Sequence, residues 1–316
     1  MNSSELHVIF GAGPVGRAIM NTLVSQGKRV RIINRSGKLN VPAGVEVCAG
    51  EASDPASTRL LSDGAAVVYN CTNPPYTQWP ELFPALQAGV LEGAASAGAK
   101  LVVMENLYMY GPNGGKILTE DHPYNPTPRK GATRAKMSRD LMAAHQSGKV
   151  RVAIGRAADF FGAGVMESAA GDRLFYPAVQ GKAAQFIGNP DMPHTYTYMP
   201  DIGKALVILG EREEALGKIW HIPSPETVTT RQFFTMAYEA AGHKPKIQTM
   251  PKLMVKGLAL FVPILREVDE MSYEFDEPFI MDHSRFDRAF GMKATPLQEA
   301  IQTTVEWFRA NPKDSR

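Results

Sequence analysis

Three glycines spaced Gly11-x-Gly13-x-x-Gly16 constrain this chain more than any other feature. They follow a short apolar run, Val8-Ile9-Phe10. They precede a stretch in which Val15, Ile19 and Leu23 recur every four residues. The first pattern suits a buried strand and the second an amphipathic helix, so the glycines form the tight turn between them. Each has a physical reason to be glycine. Gly11 allows the sharp turn, Gly13 lets backbone approach a pyrophosphate, and Gly16 lets helix and strand pack closely. Pro14 and Val15 open the helix, whose free N–H groups and partial positive charge suit a phosphate. A second apolar run, Arg29 to Asn34, follows Gly27 and closes a βαβ unit of the expected length. The spacing therefore predicts a bound dinucleotide.

The end of the second strand selects the cofactor. NAD-preferring sites place Asp or Glu there to bind the ribose 2′-hydroxyl. This chain has Asn34-Arg35-Ser36-Gly37-Lys38 instead. No carboxylate repels a 2′-phosphate, and Arg35 can pair with one as a planar fork. NADP is therefore expected over NAD, with NAD possible if Arg35 and Lys38 form only a solvated turn. Glu51 and Ala52 follow the third strand, where an adenine ring usually lies. Cys71, Thr72 and Asn73 end the fourth strand, at the sheet edge where ligands of doubly wound folds bind.

Composition narrows the rest. A length of 316 residues with 44% hydrophobic and 21% charged content is an ordinary soluble globular pattern. A net charge of +2 gives no case for nucleic acid or an anionic membrane surface. The two cysteines, Cys48 and Cys71, are in no CxxC pair, so neither a disulfide framework nor a metal site is expected. The start has no basic segment leading into an apolar one, which predicts a cytoplasmic protein. The apolar patch from Leu253 to Leu265 contains Lys256 and Pro263, and reads as a buried helix or a hinge.

Apolar runs at 45–50, 65–72, 100–104 and 150–154 predict further strands. They alternate with helices opening at Asp54-Pro55, with Leu60 and Leu61 on the buried side, and spanning about 80–97 and 132–146. That alternation predicts a Rossmann-type doubly wound α/β fold with a parallel sheet. The expected division is a dinucleotide-binding domain over 1–164 and a smaller, mainly substrate-binding domain over 165–316. Segments near 194–222 return to the first domain. His194 to Asp201 alternates with period two, Lys218 to Ile222 reads as a strand, Thr229 or Thr230 caps a helix, and Thr295-Pro296-Leu297-Gln298 reads as a capping box. His221 reads as a satisfied core histidine, and Glu120 and Asp121 as parts of a solvated loop.

The order of these features resembles the extended short-chain dehydrogenase/reductase family, which includes the NAD-dependent epimerases and dehydratases. The glycine turn, Tyr110-Gly111 after the fifth strand, Arg156 to Gly164, and Tyr198-Met199-Pro200-Asp201 carry the resemblance over nearly the whole chain. Phe161 and Ala163 replace the family's usual Tyr and Pro. The resemblance implies a Ser or Thr, and a Tyr and Lys in a Tyr-x-x-x-Lys helix, with the Lys tuning the Tyr and holding the nicotinamide ribose. Lys136 matches that Lys. Ala132 stands at the matching Tyr position and Asn106 at the Ser position.

Three functional readings follow. One is an NADP-dependent oxidoreductase or epimerase-like enzyme with a different acid, with Tyr108 the first candidate beside Asn106 and Lys136, ahead of Tyr110, Tyr76 and His194. The second is an enzyme that reduces a substrate needing little acid help, with water as the proton source. The third is a catalytically silent NADP(H)-binding regulator. Tyr76, Tyr108, Phe161, His194 and Tyr196 are the expected substrate-binding residues. No Arg and Lys cluster in the second half suits a nucleotide diphosphate, which favours a small or apolar carbonyl compound. A monomer or homodimer is expected.

Overall fold

The computed structural model describes residues 5–250 and 270–313. The apolar patch at 253–265 lies outside them. Seven strands form one parallel sheet: β1 (Leu6–Phe10), β2 (Arg29–Asn34), β3 (Glu46–Ala49), β4 (Ala65–Asn70), β5 (Lys100–Glu105), β6 (Arg151–Arg156) and, from much later, β11 (Lys218–His221). Their order is β11-β6-β5-β4-β1-β2-β3. The winding reverses between β1 and β4, and doubly wound folds open their binding crevice at such a point.

Alternation along the strands builds two cores. Ile9, Ile32, Val67, Val102 and Ala153 face one way, under α1 (Pro14–Ser25) and α6 (Met199–Glu211). Val8, Phe10, Ile33, Val68, Leu101, Val103 and Val152 face the other way, under α3 (Trp79–Ser96) and α4 (Arg129–Gln146). Both faces are covered, so the strands read as continuous apolar runs. α6 meets α1 closely: a Cβ on Gly203 would stand 2.6 Å from the Ala18 carbonyl oxygen. The short helix α2 (Pro55–Ser62) is capped by Asp54, whose carboxylate accepts the N–H groups of Ala56 and Ser57. Leu60 does not face the core as expected but is 75% exposed, because Thr58 and Ser62 take the buried side.

A separate aromatic core forms around α5 (Asp172–Gln180), α7 (Thr230–Ala241) and α10 (Leu297–Ala310). Around it run β7 (Asp159–Phe161), β8 (Ala184–Ile187), β9 (Pro193–His194), β10 (Tyr196–Tyr198), β12 (Val228–Thr229) and β13 (Ile247–Met250), with the short helices α8 (Tyr273–Asp276) and α9 (Ser284–Phe290). Thr229 and Gln232 form the capping box of α7. At α10 the expected box is absent. The Thr295 hydroxyl donates to Asp201 at 2.9 Å instead, which ties α10 to α6. Glu120 is buried and accepts the His221 N–H at 3.1 Å, so it belongs to the interior and not to a solvated loop.

Candidate functional site

The loops at the carboxyl ends of β1 to β5 carry most of the residues that the sequence singles out. Gly11 has φ +105°, and a Cβ there would stand 2.5 Å from the Cys71 carbonyl oxygen. A Cβ on Gly16 would stand 1.9 Å from the Gly11 carbonyl oxygen. Packing therefore demands glycine at both. At Gly13 a Cβ would meet nothing within 4 Å. The protein itself gives Gly13 no reason to be glycine, whereas a ligand approaching its backbone does. Pro14 opens α1, and no side chain caps the helix. Its first N–H groups are left for an anion. The turn fits a pyrophosphate.

Asn34 shapes the next loop. Its Oδ1 accepts the Gly37 N–H at 2.6 Å and the Ser36 hydroxyl at 3.2 Å, and its Nδ2 donates to the Lys38 carbonyl at 3.0 Å. Arg35 is exposed on this turn. Arg17, at the start of α1, donates to the Asn40 carbonyl at 3.4 Å and so borders the same loop. After β3, Glu51 accepts the Ser53 hydroxyl at 2.9 Å, and Ala52 is seated against Gly89 of α3. After β4, Asn70 accepts the Thr72 N–H and hydroxyl at 3.1 and 2.8 Å. The Cys71 N–H donates to the Phe10 carbonyl at 2.8 Å, which holds the 71–73 loop beside Gly11. Burial pushes the Cys71 thiol up, so it stays protonated.

An aromatic wall follows. The Tyr76 hydroxyl donates to that of Tyr108 at 3.5 Å, and the Trp79 ring lies 5.3 Å from Tyr76 and 5.7 Å from Tyr108. Asn106 fixes this wall: its Oδ1 accepts the Tyr108 N–H at 3.3 Å. Burial raises the Tyr108 phenol well above its usual range, with the Glu274 carboxyl adding to the effect. A phenol raised in this way is a poor proton carrier.

Helix α4 starts at Arg129, three residues before the expected Ala132, directly after Pro128. That start brings Lys130 and Gly131 into the helix. Gly131 sits so close to the wall that a Cβ would stand 2.5 Å from the Tyr108 carbonyl oxygen. Lys130 is 1% exposed, its Nζ lies 4.4 Å from the Tyr76 ring centre, and it pairs with Glu270 at 3.3 Å. Burial lowers its pKa, with Glu270 working against that. One turn on, Arg134 is buried over the Phe83 ring at 4.7 Å and donates to the Met104 carbonyl at 3.2 Å. Lys136 faces away. Its side chain is 70% exposed and pairs with Asp140 at 2.6 Å.

The opposite side of the site comes from β7, β9 and α8. His194 is buried, and its Nε2 donates to Asp159 at 2.7 Å. Its Nδ1 lies 3.2 Å from the Glu274 carbonyl oxygen, and its ring stacks on Phe275 at 4.7 Å. Phe161 and Tyr196 are not part of this wall. Phe161 packs on Phe233 at 5.0 Å. Tyr196 stacks on the same ring at 4.2 Å, and its hydroxyl meets that of Thr230 at 2.9 Å. Both strands turn these rings toward α7, into the second core. Among the described residues no His, Cys, Asp and Glu group could hold a metal ion, and no helix is long and apolar enough to cross a membrane.

A family model for the NAD dependent epimerase/dehydratase family matches residues 8–222. The chain belongs to that family. A UDP-glucose 4-epimerase of Thermotoga maritima, solved with UDP-glucose, is 17% identical with a TM-score of 0.79 over 97% of this chain and 99% of its own. A dTDP-glucose 4,6-dehydratase double mutant of Streptomyces venezuelae, solved with NAD and DAU bound, is 16% identical with a TM-score of 0.78 over 97% of each chain. A protein named gox2253 is 15% identical with a TM-score of 0.81 over 98% of this chain and 99% of its own. These likenesses show the fold. Comparison with curated proteins gives no match. The family's Tyr-x-x-x-Lys spacing needs two inward residues one helical turn apart. On α4 the inward pair is Lys130 and Arg134, whereas Ala132 and Lys136 are exposed. The expectation that Lys136 reaches a nicotinamide ribose is corrected by this geometry. Pro128 was the available signal, because proline favours helix starts. Nothing local in the sequence marks Glu270 or Glu274.

Proposed function

We propose that this family member is an NADP-preferring oxidoreductase acting on a small carbonyl compound, with Lys130 handling the proton that the family's Tyr would otherwise carry. The observation that carries this reading is the placement of Lys130: buried, inward, and over the Tyr76 ring. Burial lowers the Lys130 pKa, so its ammonium gives up a proton more readily than that of an exposed lysine.

The cofactor would lie along residues 11–16, with Gly11, Gly13, Pro14, Val15 and Gly16 receiving the pyrophosphate. The turn at Asn34, Arg35 and Ser36 would receive the 2′-phosphate, Glu51 and Ala52 would border the adenine, and Cys71, Thr72 and Asn73 would line the path toward the nicotinamide. NAD-bound relatives support the dinucleotide, and Arg35 supports the phosphorylated form. The bound nicotinamide supplies the hydride. Lys130 donates a proton to the carbonyl oxygen, and Tyr76 and Tyr108 exclude water from the reacting centre. Asn106 acts one step away by fixing Tyr108. Arg134 is committed to Met104 and to Glu105, 3.8 Å away, and holds α4 in register against β5.

NADPH and NADH binding by fluorescence, followed by NADPH oxidation against a panel of aldehydes and ketones, tests the proposal. Tighter NADPH binding with turnover of at least one carbonyl class is the expected result. Tight NADPH binding with no turnover of any class would overturn it in favour of a silent NADP-binding protein.

A further inference from the structure

Three carboxyl groups gather on the side of the cleft facing Tyr76: Asp159 on β7, and Glu270 and Glu274 at α8. Two are answered. His194 donates to Asp159, and Lys130 pairs with Glu270. Glu274 is not. It is 2% exposed, and its Oε1 has no hydrogen-bond partner. A buried acceptor left unmade is costly, and such groups are retained where a ligand completes them.

The surroundings say which ligand. His194 joins Asp159 to Glu274: its Nε2 donates to the Asp159 carboxylate at 2.7 Å, and its Nδ1 lies 3.2 Å from the Glu274 carbonyl oxygen. Aromatic faces beside a carboxyl favour a cation. The protein's own ammonium, on Lys130, already lies over the Tyr76 ring. An anion would find no partner among the nearby guanidinium groups. Arg134 is engaged by Met104 and Glu105, and Arg156 by Glu105, Tyr110, Tyr124 and Ser138.

We propose that the buried Glu274 carboxyl, with Asp159 beside it, forms a subsite for a protonated amine on the substrate. The inference rests on the reading that substrate occupies this cleft, and it replaces an apolar carbonyl compound with an amino-substituted one. Burial and Asp159 hold the Glu274 carboxyl well above the usual range, so it keeps its proton until a cation arrives. Among the described residues, Asp159 and the phenols of Tyr76, Tyr108 and Tyr273 interact with its charge, and His194 lies against its backbone carbonyl. An incoming ammonium favours the carboxylate, and the proton leaves to solvent.

Calorimetric titration of the full chain with benzylamine, benzyl alcohol and benzoate, at about pH 7 in two buffers of different ionisation heat, tests this. Benzylamine is expected to bind at least about tenfold tighter than benzyl alcohol, with proton release, and benzoate not to bind. Glu274→Gln should abolish both the preference and the proton release. Lys130→Met removes the competing internal ammonium and should tighten benzylamine binding. Equal binding of the amine and the alcohol, preferred binding of benzoate, or an unchanged preference in Glu274→Gln would overturn the proposal. None of these readouts needs turnover. Loss of the amine preference alongside NADPH-dependent reduction of neutral ketones would sink the subsite and leave the oxidoreductase standing. An amine preference without any reduction would do the reverse.

Discussion

The Lys130 ammonium lies over the face of the Tyr76 ring, 4.4 Å from its centre, and one helical turn ahead of the buried Arg134. Removing it should stop the chemistry more than the binding. Lys130→Met is expected to lower kcat for carbonyl reduction by about 100-fold or more, within the range of general acid catalysis, with NADPH affinity nearly unchanged. Burial lowers the Lys130 pKa, so the wild-type rate should fall on the alkaline side earlier than an ordinary lysine allows. Lys130→Arg cannot lose its proton there, and its pH profile should lack that limb. A pH–rate series on the three proteins checks both points.

Lys136 supplies the contrast. Its pair with Asp140 is exposed on the outside of the same helix. Lys136→Met is expected to leave kcat, KM and NADPH affinity unchanged, with stability altered by no more than about 0.5 kcal/mol. A large loss of activity would restore Lys136 to the site.

The glycine turn makes a second contrast. Gly16→Ala places a Cβ 1.9 Å from the Gly11 carbonyl oxygen and should destabilise the fold by about 1–3 kcal/mol. Gly13→Ala meets no protein atom within 4 Å and should fold normally. It should nevertheless weaken NADPH binding by about tenfold or more, because the methyl group occupies the pyrophosphate's approach. Thermal melts with and without NADPH separate the two effects.

Arg35 stands exposed on a turn built by Asn34. Arg35→Asp should weaken NADPH by about tenfold or more and bring NADH to equal or better affinity, since a carboxylate repels the 2′-phosphate and accepts the 2′-hydroxyl. Unchanged preference would place the discrimination elsewhere, with Arg17 next to test.

Two interior histidines set the acid limit. His7 lies 3.2 Å from the Tyr69 hydroxyl, and burial, with Lys28 and Lys100, lowers its pKa to about 4. His221 accepts from Tyr110 and donates to the Asp282 carbonyl, and burial, with Arg156, lowers it to about 3. Below about pH 6.5 the unfolded chain binds protons that these neutral rings refuse. Stability is therefore full above that value and falls as pH drops toward about 4, by about 1.4 kcal/mol per unit for each histidine. Urea midpoints measured across that window should decline, and His7→Asn should flatten the decline by one histidine's share. An identical slope would mean that His7 does not stay neutral in the fold.

Much of the fold was legible because parallel strands covered on both faces, such as Ala65 to Asn70, are continuous apolar runs. The glycine turn was legible because its spacing is short-range. The inner face of α4 was not. With the helix starting at Arg129 and not at Ala132, Lys130 lies inside it and shares the inner face with Arg134 one turn on, whereas Lys136 falls on the outer face. Phe161 and Tyr196 were misplaced because an alternating strand has two faces, and sequence does not say that α7 covers theirs. Glu274 was invisible because its meaning lies in Asp159 and Tyr76, brought near only by folding.

The close seat of α6 on α1 at Gly203 and Ala18, with β11 beside β6, has a further consequence. Residues after 198 seal the back of the glycine turn and close that side of the sheet. A chain cut at residue 164 would leave β6 as an unguarded rim and strip the cover from Ile19 and Leu23, inviting self-association. The sheet begun by the first 164 residues is thus finished by residues that come after them.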